Sequence, residues 1–133
     1  TMLTGRDQWF NEGQPVMRHL RDFEDSLSEQ ENYCLFVAPT LHRDTLNTFW
    51  MSIKHEYEGR KQKIVPLTIR QLIHLLEGVK EARDANYKVC SADMRQLYDA
   101  CTALDGVPES TAWPTHVEAQ LKAWHSRVTA PVS

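Results

Sequence analysis

Hydrophobic and polar positions alternate along this chain with two different periods. Cys34 to Ala38 is an unbroken apolar run, too short for a lone buried helix and suited to a strand covered on both faces. Pro39 stops that strand. Beyond it Leu46, Phe49, Trp50, Ile53 and Tyr57 recur at helical spacing, with Asp44 as the cap or Thr40 starting the helix a turn earlier. Upstream, Thr1 to Thr4 has the character of a strand end closed by Gly5. A helix from Gly13 or Pro15 to Leu27 carries a narrow stripe of Val16, Leu20, Phe23 and Leu27, with Pro15 in its first turn. Trp9 and Phe10 either extend that helix through a kink or pack as a staple.

Downstream, Glu56 to Lys63 is a polar connection with Gly59 as a stop, and Ile64-Val65-Pro66-Leu67 is a short strand. Thr68-x-x-Gln71 is a capping box for a helix whose face is Ile69, Leu72, Ile73, Leu76 and Val79, running on through Lys80 to Arg83. Ser91 caps a helix with Met94, Leu97, Tyr98, Cys101 and Leu104 in register, closed by Gly106. Thr115-x-x-Glu118 opens the last helix, with Val117, Leu121, Trp124 and Val128 inward, before an Ala130 to Ser133 tail. The order is strand, helix, strand, helix, strand, then helices only. A buried strand feeding a helix is half of a layered α/β unit, so the fold class is α/β.

Composition narrows the picture. With 133 residues, 41% hydrophobic and 25% charged, the chain is one domain or most of one and buries roughly two-thirds of its unfolded surface. A 1–80 core portion and an 81–133 helical extension divide it. No apolar run approaches a membrane span and no signal-peptide pattern opens the sequence. The three cysteines, Cys34, Cys90 and Cys101, lack metal spacing and read as reduced thiols of a cytoplasmic protein. A net charge of −3 confines any nucleic-acid contact to local patches. None of the six histidines forms a His-x-x-x-His pair, and His74 and His125 sit on polar flanks. Trp50 and Trp124 occupy core positions of their helices.

Two stretches carry a resemblance. The run Phe36-Val37-Ala38-Pro39 followed by His42-Arg43-Asp44-Thr45-Leu46-Asn47-Thr48-Phe49-Trp50, and upstream Thr4-Gly5-Arg6, Gln8, Glu12, Pro15-Val16 and Arg18-His19, resemble the late part of the nuclease domain of the AlwI-type restriction endonuclease family. More distantly they are similar to the FokI-like cleavage domain of the PD-(D/E)xK nucleases. The match runs over residues 1–80 by order of elements, with Gln14 standing where the family leads one to expect an acid. The resemblance implies a restriction-endonuclease-like core followed by C-terminal helices. It also implies an enzyme that hydrolyses phosphodiester bonds in double-stranded DNA with magnesium. Its metal-holding acids would lie on strands before Thr1, since no Pro-Asp followed by Glu-x-Lys occurs in these residues and the sequence supplies no metal centre. The chain opens in mid-element and reads as the downstream piece of something longer, inactive alone.

Candidate auxiliary groups remain. Gln8 and Glu12, four apart, share a helix face and either address a scissile phosphate or metal-bound water, or are solvated polar residues. Arg18 and His19 with Arg21, and Arg60, Lys61 and Lys63 with Lys54 and His55 upstream, form two basic clusters suited to phosphate contacts. Glu56 and Glu58 dilute the second, and a solvated surface is the plain alternative for both. Glu24, Asp25, Glu29 and Glu31 make the end of the Pro15 to Leu27 helix acidic, against its macrodipole. By resemblance that helix supports a weak homodimer, with Arg18, Arg21, Asp22 and Asp25 meeting their own copies. The alternative function is a non-catalytic helical interaction or DNA-binding module.

Overall fold

The computed structural model describes residues 1–26, 31–55 and 60–130. Leu27, Glu29, Glu56, Tyr57, Glu58, Gly59 and the last three residues of the tail therefore lie outside the described residues. The elements are α1 (Gly5–Gln8), a π-helical segment (Trp9–Gly13), α2 (Gln14–Ser26), β1 (Cys34–Ala38) and α3 (Arg43–Lys54). They continue with β2 (Ile64–Thr68), α4 (Ile69–Asp84), α5 (Ser91–Thr102), a 3-10 turn (Ser110–Ala112) and α6 (Trp113–Val128). The class is mixed α/β, as the periodicity implies.

β1 and β2 pair in parallel, Cys34 opposite Ile64 through Ala38 opposite Thr68. Parallel neighbours need a crossover, and α3 supplies it. The Cys34 N–H donates to Lys63 O at 2.9 Å, so the backbone groups of Cys34, Phe36 and Ala38 face β2 while those of Leu35 and Val37 face outward. By the same alternation Pro66 turns its missing N–H away from β1, which is why a proline is tolerated inside β2. Phe36 meets Phe49 of α3 edge to face, ring centroids 5.0 Å apart. Coverage of the two faces is uneven: Phe36 and Ala38 are buried on one, while on the other Val37 is partly buried against the core and Leu35 is exposed.

The first helix departs most from the pattern. Residues 1–4 are not a strand; Thr1 makes one bond to β1, and helix begins at Gly5, whose φ of +63° suits a residue without Cβ. From there the helix continues to Ser26 without interruption, because both Gln8 and Gln14 keep right-handed helical angles. Pro15 is thus in the interior rather than the first turn. It cannot donate to the turn before it, and the π-helical widening at Trp9–Gly13 sits where that bond is missing. Trp9 and Phe10 extend the helix, and Trp9 Nε1 ties the widened turn to Thr48 Oγ1 of α3 at 2.8 Å. The buried positions are Met17 and Leu20; Val16 is half-buried and Phe23 exposed, so the apolar stripe is rotated from the expected one.

Helix caps also shift. His42 caps α3, its Nδ1 accepting from the Asp44 N–H at 3.2 Å, in place of Asp44 or Thr40. The Thr68–Gln71 capping box of α4 forms in both directions. The α4 face that packs inward is Leu75, Gly78 and Ala82, while Ile73 and Leu76 point to solvent. Gly78 lets α6 approach closely, since a Cβ there would lie 2.8 Å from His125 Nδ1 of α6 and that ring would have to shift. The His125 side chain is 39% exposed on its polar flank, and its Nε2 lies 3.0 Å from Glu81 Oε2. Cys90, not Ser91, caps α5, and the 3-10 turn starts α6 two residues before Thr115. α5 ends at Thr102, short of Gly106.

α5 and α6 are joined by buried polar groups the pattern does not reveal. Trp113 is fully buried and donates to Cys101 O at 2.9 Å; Trp124 donates to Asp93 O at 3.0 Å. Asp93 accepts from the Cys90 N–H (3.0 Å), the Tyr87 hydroxyl (2.8 Å), the Cys90 thiol (3.3 Å) and Arg127 (3.3 Å). Led by the Cys90 N–H, these donors hold its carboxyl down to about 2 against the cost of burial. A depressed folded-state pKa contributes stability that is present above the unfolded value, about 3.9, and is lost as pH falls toward 2. Thermal denaturation between pH 5 and pH 2 is expected to show a falling melting temperature for the native chain and a flatter profile for Asp93→Asn.

Candidate nucleic-acid interface

The polar residues singled out in the sequence separate into a clamp, an ion-paired seam and an open groove. Gln8 is the clamp. It is fully buried, its Nε2 donates to Leu3 O (3.0 Å) and Thr40 O (2.6 Å), and its Oε1 accepts from the His42 N–H (2.7 Å). Both amide protons are engaged, so neither the solvated reading nor an amide aimed at a phosphate describes it. Glu12 is half-exposed and has no hydrogen bond or ion pair among the described residues. The π-helical segment begins between the two residues, and their exposures differ: Gln8 is buried while Glu12 reaches solvent.

The seam joins the basic connection to the acidic helix end, which the sequence presents as separate features. Arg60 lies 3.6 Å from Asp25, and Asp25 is also 3.5 Å from Arg21 one turn earlier. Gln62 is buried and donates to Met17 O at 2.7 Å. Burial raises the Glu24 carboxyl, against the pull of Arg60 and Arg21. Lys63 is 2.9 Å from Asp99 of α5 and 3.8 Å from Glu31, with its ammonium 5.0 Å from the centre of the Tyr33 ring. The Tyr33 hydroxyl donates to the same two carboxylates, and burial together with those bonds pushes its pKa up. Asp25 therefore meets two counter-charges, Arg21 and Arg60, inside its own chain. Tyr33, Gln62 and Asp99 are not found by pattern, because a single polar residue within a strand approach or a helix flank has no spacing signature.

The groove lies where α3 ends. A cavity of about 290 Å³ is lined by Lys54, Lys61, Lys63, Thr102 and Asp105 together with apolar atoms of Ile53 and Leu104. Lys54 and Lys61 are exposed and carry no ion pair among the described residues, while Lys63 is fixed by Asp99. Two exposed ammonium groups beside one anchored ammonium suit phosphate oxygens, which are recognised by charge without sequence information. Arg18 and His19 are exposed on α2, turned away from the buried Met17 and Leu20. No three His, Cys, Asp or Glu side chains come together to hold a metal ion among the described residues, and no described helix is long and apolar enough to cross a membrane.

A small parallel α/β layer with a lysine-lined groove at one helix end is the class of unit these elements define. The family model described as AlwI restriction endonuclease matches residues 1–75, more than half of the chain, and the chain belongs to that family. A DNA endonuclease is the activity to which that family points, with DNA as its substrate. No curated protein matches the chain. The match takes in Lys54, Lys61 and Lys63, whereas Asp99 and the 102–105 side of the groove come from residues beyond it.

The Gln8 clamp predicts a stability effect. Gln8→Ala leaves two carbonyls and one N–H unpaired and is expected to lower unfolding free energy by about 1–3 kcal/mol, measured by urea denaturation. Unchanged stability would remove the clamp from the account.

Proposed function

We propose that this chain is the DNA-contacting part of a magnesium-dependent restriction endonuclease that hydrolyses phosphodiester bonds in duplex DNA. The family match is the observation that carries the reading, and the lysine groove supports it. Magnesium needs several converging oxygen ligands, and the described residues do not fit it. Asp25, Glu31 and Asp99 are each engaged by Arg or Lys side chains, and no metal-holding group of His, Cys, Asp or Glu forms among the described residues. In this reading the acids that hold the metal come from outside the described residues. What the chain's own groups do is bind and orient: Lys54 and Lys61 meet phosphates, Asp99 fixes Lys63 at the groove wall, and Gln8 holds the turn after β1 in place.

Two measurements test this. The purified chain is expected to show no magnesium-dependent nicking of plasmid DNA; nicking that disappears when one of its own residues is changed would overturn the assignment of the metal site. Changing Lys54 and Lys61 together to Ala should weaken DNA binding equally across sequences and flatten the dependence of log K on log salt by about 2 units. Absent binding, or an unchanged slope, would return the groove to ordinary surface.

A further inference from the structure

α4 and α6 pack together at Gly78, and beside that contact a cavity of about 440 Å³ opens between the two helices. Its apolar lining comes from Leu75 and Trp124, both buried, and from the half-buried Leu121. The Trp124 N–H is already committed to Asp93 O at 3.0 Å, so the indole offers the cavity carbon surface rather than a donor. A recess of this size, apolar with a few polar groups around it, has the usual form of a small-molecule site. The α6 wall lies wholly beyond residues 1–75, so the family match does not extend across the cavity.

The charged groups of the cavity are mainly carboxylates, and one of them is held in place. Gln71 Oε1 accepts the Thr68 N–H at 2.9 Å, and its Nε2 donates to Glu118 Oε2 at 2.7 Å. The capping box that starts α4 thus also positions a carboxylate on α6. Lys122 lies 3.9 Å from the other oxygen of Glu118, so the ammonium lining the cavity is already beside an opposite charge. Glu77 lines the cavity too, is exposed, and has no ion pair among the described residues. With neutral histidines, two carboxylates against one ammonium leave the described lining with one negative charge in excess.

We propose that the cavity between α4 and α6 binds a small organic monocation, an arylalkylamine whose apolar body lies against Leu75, Leu121 and Trp124 while its ammonium meets Glu118 and Glu77. Glu118 is a preorganised partner, because Gln71 already holds it, and little ordering is needed when a ligand arrives. An organic anion of the same shape meets two carboxylates and finds only the paired Lys122 to receive it. A metal ion is not the occupant, since no three His, Cys, Asp or Glu side chains come together to hold one among the described residues. The cavity shares no lining residue with the lysine groove, so this inference holds or fails separately from DNA binding.

Titration with phenethylamine, phenethyl alcohol and hydrocinnamate, followed by the amide resonances of α4 and α6, tests the proposal, because the three probes share an apolar body and differ in charge. The amine is expected to bind tightest, the alcohol about 5-fold more weakly, on the scale of an exposed ion pair, and the anion more weakly still. The shifts should centre on Leu75, Leu121 and Trp124. Glu118→Gln keeps an acceptor for the Gln71 amide, so it should bring the amine to the affinity of the alcohol and leave the alcohol unchanged. Glu77→Gln, which has no ion pair to lose, should weaken the amine in the same direction. Equal affinities for the three probes, tightest binding of the anion, or shifts centred away from the cavity overturn the proposal. So does an amine that ignores both substitutions or fails to bind at millimolar concentration.

Discussion

The parallel pairing of β1 with β2 is the constraint from which the rest of the molecule follows. Two strands running the same way cannot be joined by a tight turn, so the chain must leave the sheet and return, and α3 is that return. Because a pair of five-residue strands has too little area to stand alone, its faces must be covered by helices. Phe49 from α3 packs on Phe36, while α4 and α5 pack against the strands as well. The register also decides chemistry. It turns Pro66 outward, where its missing donor does no harm, and leaves Leu35 and Val37 with an intact outer edge.

Two buried amides lock the long first helix to this frame. Gln8 grips the backbone just after β1, and Gln62 grips the helix backbone at Met17 from the segment just before β2. Each sits at an end of the sheet, so the helix is fixed at two points along its length. The widened turn at Trp9–Gly13 lies between those points and accommodates Pro15 without breaking the helix. Ion pairs reinforce the second point. Arg60 with Asp25 and Lys63 with Asp99 bring the connection before β2 against α2 and α5, and leave Lys54, Lys61 and Asp105 as groove charges without an ion pair among the described residues.

Local chemistry determined a good part of this from the sequence. The Cys34–Ala38 and Ile64–Leu67 runs are strands, the Thr68–Gln71 box starts α4, and the family resemblance stands on residues that the family match includes. These signals are legible because each depends on a few neighbours: an apolar run, a side chain reaching its own backbone, a short motif. Helix faces were legible only approximately. Ile73, Leu76 and Phe23 have the spacing of core residues yet face solvent, because burial depends on which partner surface arrives, and periodicity carries no information about partners.

Tertiary structure alone decided the roles of the polar residues. Gln8 has the appearance of a surface or catalytic amide and is a buried clamp, since one of its acceptors and its donor lie more than thirty residues away at Thr40 and His42. The acidic helix end and the basic connection have the appearance of two interaction patches and are joined by ion pairs, an outcome that requires the fold to bring Asp25 to Arg60 and Glu31 to Lys63. Sequence spacing governs what lies on one turn or one strand. Contacts between elements are governed by the direction and register in which those elements pack, and that information exists only once the chain has folded.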